Sequence, residues 1–407
     1  VTARLYRDDP YRLEFDALVV GRAEHEGRPA VILDRTAFYA ESGGQPWDTG
    51  TLEAAGTSAD VVAVIERGAE VLHVVGGGAA PAVGQRVQGR VDGPRRLDHR
   101  QQHHGQHLLS RAFVEIAGAE TISFHLGARE VSIDLDREVT AAQVAGAVRR
   151  ANDVVWEGRE VSVRTVSRAE ARAQGVEVPE QAGDEVRIVH AEGFDLQACG
   201  GTHPRRTSEV GLVLGLGHER YKGGSRVRFA CGHRALARAE EHYAALREAG
   251  SVLSAAPEAV PGLVARALEQ AAEAGRHVKA LQEQISGVER QRLVDQARSA
   301  APGTVPVLTR VFEGWDAAQV RQLAVRLTDE VPCVALLATR GESAQLFFTR
   351  SEALTHDVAA ALQAVLGELG GRGGGRGRMA QGGCDGSARL EEALERAAQR
   401  LRGALPA

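Results

Sequence analysis

Cysteine is scarce in this chain of 407 residues: Cys199, Cys231, Cys333 and Cys384 are the only four, and they lie far apart. That spacing excludes a disulfide-stapled scaffold and suits a reducing compartment, so a cytoplasmic protein is expected. No run of about 18 apolar residues occurs, which excludes a membrane-spanning helix. The opening residues, VTARLYRDDP, lack the charged-then-apolar layout of a secretory signal. An excess of basic charge is missing too, the formal net charge being −5. Nucleic acid usually meets a basic surface, so any such contact must rest on local patches. Three stand out: Arg205 with Arg206; Arg220, Lys222, Arg226 and Arg228; and Arg372, Arg376 and Arg378, with no acid among them.

What remains is an ordinary globular balance, 43% hydrophobic and 25% charged, in a chain too long for one core. Two to four domains are expected, of α+β class. Residues 1–90 carry short Val/Ile-rich runs (ALVVG, AVILD, ADVVAVIE, EVLHVVG) parted by turns, the pattern of a small β-barrel or sandwich. Residues 91–233 read as an α+β domain. A helix over 97–118 comes first, followed by a strand at VSIDLD, a helix at TAAQVAGAVRRANDVVW and strands at VSVRTV and EVRIVH. Residues 234–300 have helical composition broken by Pro257 and Pro261, which predicts a helical hairpin. Residues 301–407 alternate strands and helices, an α/β domain with a glycine-rich insert, GGRGGGRGRMAQGGCDG, between its last two helices. Any self-association is expected through the helical or C-terminal region.

The densest chemistry lies in QQHHGQHLLS at 101–110. On a helix, His103 and His107 share a face at i,i+4, near enough to hold one ion. His104 is expected to point elsewhere, about 100° round the axis. Cys199 and His203, in ACGGTH, form a second pair whose two intervening glycines let a loop wrap. Together they make a Cys/His₃ set suited to one zinc ion. The glutamate of a His-Glu-x-x-His protease is absent. Gly105 costs a helix about 1 kcal/mol relative to Ala, which close approach by substrate or a loose helix start would explain. Cys231-Gly-His233 reads as structural, and Cys333 as a buried strand residue.

Four stretches carry a resemblance. DHRQQHHGQHLLS at 98–110 resembles the helix signature of alanyl-tRNA editing domains, and GFDLQACGGTH at 193–203 resembles their second signature. FYAESGGQPWDTG at 38–50 is similar to their N-terminal signature, and GRGGGRGRMAQGG at 371–383 to the glycine-rich motif of the DHH-associated C-terminal domain. The resemblance implies a freestanding, long-form relative of the alanyl-tRNA synthetase editing region, with zinc on His103, His107, Cys199 and His203. The synthetase's ATP-binding core would need several hundred further residues upstream, so aminoacylation is not expected. The family usually has threonine where this chain has His104; its work falls to His104, Gln106, Thr202 or His125.

The implied reaction is hydrolysis of the ester in mischarged tRNA(Ala), carrying serine or glycine. A site that hydrogen-bonds a serine hydroxyl rejects alanine, which would leave buried polar groups unpaired. The N–H groups of Gly200 and Gly201 are candidate oxyanion donors. Gly43, Gly44 and Gln45 form either a tight turn or a lip over the tRNA end. Arg372, Arg376 and Arg378 lie either in a flexible linker or in a tRNA-contacting loop. The alternative function is a non-catalytic tRNA-binding module with a structural zinc. A DHH-type phosphoesterase is disfavoured, because residues 98–100 are Asp98, His99 and Arg100 rather than an Asp-His-His triplet.

Overall fold

Strict alternation starts the N-terminal region: from Glu14 to Val20 every second side chain is buried. That strand and five others close into a barrel: Glu14–His25 (β1), Arg28–Leu33 (β2), Gly50–Ala54 (β3), Thr57–Arg67 (β4), Glu70–Gly78 (β5) and Arg86–Val91 (β6). Their order around the barrel is β1-β2-β5-β4-β3-β6. Phe15, Val19, Leu33, Phe38, Leu52 and Val64 fill the interior. One polar ring joins them. His73, on β5, is buried between the Thr36 hydroxyl at 2.8 Å and the Val31 carbonyl at 3.2 Å. Burial pulls it down to about 4, so the ring is neutral.

The computed structural model describes residues 1–54, 56–178, 183–341, 343–385 and 388–403. It divides into two units, Val1–Pro257 and Glu258–Ala407. In the first, the barrel leads straight into helix α1, Gly93–Ala117. Asp92 caps it by accepting from the Arg95 N–H, Pro94 sits in its first turn, and Gly118 closes it in the left-handed region. Those signals put its start four residues before the expected 97. Helix α2 (Ala141–Glu157) packs on α1, and both back a four-stranded sheet. Its strands are Thr121–Leu126 (β7), Val131–Leu135 (β8), Val213–Tyr221 (β12) and Gly224–Cys231 (β13), in the order β12-β13-β8-β7. A three-stranded sheet of Val161–Ser167 (β9), Glu185–Ala191 (β10) and Asp195–Ala198 (β11) lies between them in sequence. The expected strands at VSIDLD, VSVRTV and EVRIVH are β8, β9 and β10. The β12–β13 hairpin was not anticipated, although its turn residues Lys222 and Gly223 both have positive φ. Helix α3 (Gly232–Val252) ends the first unit.

The second unit opens with helix α4, Val260–Arg298, 39 residues long. The helices of the stretch expected as a hairpin therefore fall in different units. A five-stranded sheet follows: Val307–Glu313 (β14), Val334–Arg340 (β15), Ala344–Arg350 (β16), Arg372–Arg376 (β17) and Met379–Cys384 (β18), ordered β14-β15-β16-β18-β17. Helices Ala317–Glu330 (α5), Val358–Leu369 (α6) and Leu390–Gly403 (α7) alternate with them. Cys333 is buried, one residue ahead of β15.

The glycine-rich insert corrects the expectation of a linker or loop. It is an antiparallel hairpin, β17–β18, at the sheet edge. A Cβ on Gly373 would lie 2.4 Å from the Gly382 Cα, and one on Gly375 2.3 Å from the Ala380 Cα. The glycines permit that close backbone approach.

Neutral His73 makes the fold acid-sensitive. Between the unfolded value near 6.5 and the folded value of about 4, only the unfolded chain takes up this proton, so stability falls as pH falls through that window. About 3 kcal/mol should be lost between about pH 7 and pH 4 through this ring. In urea unfolding at both pH values, His73→Gln should show a clearly smaller acid loss than the parent. Equal losses would remove His73 as the cause.

Candidate metal centre

Helix α1 buries a polar row, and each member meets a different element. Gln102 clamps the Cys231 backbone twice, its amide donating to the carbonyl at 2.8 Å and its oxygen accepting from the N–H at 2.8 Å. Gln101 donates to the Glu209 carbonyl at 3.0 Å. One turn earlier, Arg96 reaches back to the barrel: its Nε lies 3.0 Å from the Asp48 carboxylate, and other nitrogens donate to the Pro10 and Ala37 carbonyls. Arg96 and Asp48 are both fully buried.

The loop after β11 comes to the same helix. Arg187 Nη1 donates to the carbonyls of Cys199 at 2.9 Å and Gly201 at 2.8 Å, folding 199–203 back on itself. Gly201 crosses the face of His103, and a Cβ there would stand 2.5 Å from the ring. Thr202 is held by the barrel: its N–H donates to Gln45 Oε1 at 3.0 Å, and Gln45 Nε2 donates to its hydroxyl at 2.9 Å.

These constraints converge four donors. His103 Nε2 lies 3.0 Å and His203 Nε2 3.2 Å from Cys199 Sγ, and the ligand atoms of His103, His107, Cys199 and His203 all lie within 4.8 Å of one another. Zinc bond lengths imply ligand atoms about 3.3–3.6 Å apart around a tetrahedral ion. Donor type and spacing therefore fit one such ion, with the two histidine–sulfur distances opening by a few tenths of an ångström and the widest pair closing. The three histidines are buried and residue Cys199 is half-buried, so the cluster comes nearest the surface at Cys199. Gly43, Gly44 and Gly200 are exposed beside it, with the Gly200 Cβ position 4.0 Å from Ser42 Oγ.

The charge on the sulfur suits metal capture, while His107 must release a proton before it can ligate. Burial would raise the Cys199 thiol, but His103, His203 and His107 outweigh it and hold the group well below its ordinary value. Burial would lower His107, but the Cys199 sulfur and the Asp195 carboxylate push it up to about 10. His203 falls to about 3, through burial first.

The other expected residues divide. His104 does not point elsewhere: it is fully buried, with Nδ1 3.1 Å from His203 Nδ1. The His203 ring edges into the groove among His103, His104 and His107, its centroid 4.9, 5.2 and 4.9 Å from theirs. Gln106 turns to Ser110, 2.9 Å away. His125 lies on the outer face of β7 near Arg226 and Arg228, while Phe124 beside it faces His103. Gly43 and Gly44 form a tight turn between Ser42 and Gln45, and Gln45 is a buried staple behind it. Arg372, Arg376 and Arg378 belong to the second unit. Missed from the sequence were Asp195, whose Oδ2 lies 3.2 Å from His107 Nδ1, and Arg187.

Gly105 needs neither explanation offered for it. It sits well inside α1, and a Cβ would stand 2.2 Å from Cys231 Sγ. Gly105→Ala should therefore destabilise the protein by about 1–2 kcal/mol, overpacking exceeding the gain in helix propensity. Adding Cys231→Ala should recover most of that loss in denaturant unfolding, and strict additivity of the two changes would refute the contact.

Comparison with known proteins adds identity to this geometry. The class II (A) tRNA synthetase family matches residues 13–95, the threonyl and alanyl tRNA synthetase second additional domain residues 186–228, and the DHHA1 domain residues 304–403. The alanine–tRNA ligase of Thermococcus kodakarensis is 32% identical over 97% of this chain, which spans 43% of the ligase. That of Methanopyrus kandleri is 33% identical over 94% of the chain and 42% of the ligase. The chain thus spans less than half the length of these ligases. The alanyl-tRNA editing protein AlaX-L of Pyrococcus horikoshii is 28% identical over 99% of both chains. The chain is thus similar along its whole length to an alanyl-tRNA editing protein, and its synthetase-type domains, in order, fit an AlaX-like protein.

Proposed function

We propose that the protein is an aminoacyl-tRNA deacylase acting in trans: it hydrolyses mischarged tRNA(Ala), with Ser-tRNA(Ala) the main substrate and Gly-tRNA(Ala) a second, and holds one Zn²⁺ per chain in the cytoplasm. One observation carries this reading, the His103, His107, Cys199 and His203 cluster that reaches the surface at residue Cys199, beside two exposed glycine loops. The match to AlaX-L supports it. Zinc, when bound, supplies a fixed positive charge toward the ester. The chain supplies the rest. The exposed Gly200 N–H serves the developing oxyanion, whereas the buried Gly201 N–H donates to the Cys199 sulfur at 3.4 Å and so acts on the cluster. Gly43 and Gly44 form the opposite lip, and Gln45 holds that lip to Thr202, so the mouth keeps its width. His104 and Gln106 act behind the cluster rather than on the ester, each being buried and turned to a protein partner. A hydroxyl-reading mouth spares alanine.

A second reading has its own support: four protein donors complete a tetrahedral shell, the arrangement of structural zinc. On it the protein binds tRNA(Ala) without hydrolysis. Deacylation of Ser-, Gly- and Ala-tRNA(Ala) separates the two. The zinc-loaded protein should hydrolyse Ser-tRNA(Ala) fastest and leave Ala-tRNA(Ala) intact. A chelator or Cys199→Ala should lower the rate about 100-fold or more. Turnover of no mischarged species by zinc-loaded protein sinks the enzyme reading, and binding without turnover establishes the second.

The glycine-rich hairpin provides the phosphate contacts in this proposal, and its arginines differ. Arg378 is paired with Asp329 at 2.6 Å, whereas Arg372 and Arg376 are exposed without an ion pair among the described residues. Arg372→Ala and Arg376→Ala should each weaken tRNA binding and reduce its salt slope by about 1. Arg378→Ala should change both less, and equal effects from all three would count against the assignment.

A further inference from the structure

Each ligand histidine of the cluster has a second ring nitrogen, and two of the three are held from behind. His107 Nδ1 lies 3.2 Å from Asp195 Oδ2, and Asp195 Oδ1 accepts in turn from Gln197 Nε2 at 2.9 Å. His203 Nδ1 lies 3.1 Å from His104 Nδ1. Asp195 and His104 are both buried. His103 is different: its Nδ1 is buried with no partner among the described residues, and packing against Gly201, Phe124 and the His107 and His203 rings orients its ring.

We propose that Asp195 and His104 are positioning residues: they fix His107 and His203 with Nε2 toward Cys199 and so set the affinity of the centre for its metal. The inference rests on the metal-centre reading above. An imidazole that ligates through Nε2 carries its proton on Nδ1. His107 then donates from Nδ1 to the Asp195 carboxylate, a carboxylate–histidine pair of the kind that orients metal ligands. His203 donates from Nδ1 as well, and two facing Nδ1 atoms share only one proton. His104 Nδ1 must therefore accept. The proton of neutral His104 accordingly sits on Nε2, an atom that is buried and has no partner among the described residues. One tautomer of His104 supports the centre and the other opposes it.

The test uses the full chain and zinc itself. In competition with a chromophoric chelator, Asp195→Leu and His104→Phe should each weaken zinc binding about 10- to 100-fold. His104→Asn should bind within about threefold of the parent, because its amide oxygen can accept where Nδ1 did. Thermal melts of the metal-free variants show whether each folds. Long-range proton–nitrogen correlation of the zinc-loaded parent, labelled at histidine, needs no variant. It should show His104 protonated at Nε2 and His203 at Nδ1. Unchanged zinc affinity in the folded Asp195→Leu and His104→Phe variants overturns the inference, as does a His104 proton on Nδ1. A parent that takes up no zinc instead overturns the metal-centre reading, and the inference with it.

Discussion

A buried helix built from glutamine, histidine and arginine holds only if most of its polar atoms find partners. Helix α1 is such a helix: from His99 to Ser110 every residue is buried, most of them polar. Its partners come from across the first unit. The barrel supplies Asp48, the end of β13 the Cys231 backbone, the Glu209 turn a carbonyl, and the β11 loop Cys199 and His203. Satisfying the helix is therefore what assembles the unit. The Arg96–Asp48 pair shows the stakes. Removing one partner of a buried pair costs about 3–5 kcal/mol, because the other charge is left uncompensated. Here three carbonyl and carboxylate partners surround the guanidinium, so the desolvation of that charge is offset.

The same accounting prepares the metal centre before any ion arrives. Arg187 folds the 199–203 loop through two carbonyls, Gln45 pins Thr202 from the barrel side, and Gly201 lets the loop cross His103. Each link acts on backbone or on a neighbour of a ligand, leaving the four donor atoms free to converge. A site held this way loses little conformational freedom on binding, which raises affinity without any additional contact. It also ties the barrel to the cluster although the barrel contributes none of the four donors: Gln45 and Asp48 both lie on its loop between β2 and β3.

Periodicity and residue type made part of this legible. Alternating runs in 1–90 read as a barrel because β1 buries every second residue, and His103 with His107 read as a pair because i,i+4 fixes their direction. Contacts between elements were invisible. A helical wheel turns His104 away from its neighbour, yet the His203 ring approaches edge-on and meets three rings at nearly equal distance. Gly105 looked like a helix defect because its cause, Cys231, lies far along the chain. Asp195 stands four residues before Cys199 in the same quoted motif, but only the β11 geometry turns its carboxylate to His107. The glycine-rich insert misled for the opposite reason. Its composition fits a flexible segment, whereas in the fold glycine is what lets two strands approach closely.

Gly200 closes the argument about the opening, because nothing inside the protein requires it. Gly201 is compelled by the His103 ring and Gly44 by the Phe124 ring, 2.6 Å from its Cβ position. Gly43 stands in open space but has φ of +55°, which a side chain rarely adopts. At Gly200 neither reason holds: its nearest neighbour is Ser42 Oγ at 4.0 Å, and its backbone is not in the left-handed region. A side chain there would fit the fold and would stand in the mouth beside the half-buried sulfur of Cys199. Glycine at residue 200 leaves that space clear, which is what the proposed approach of an ester carbonyl to its N–H requires.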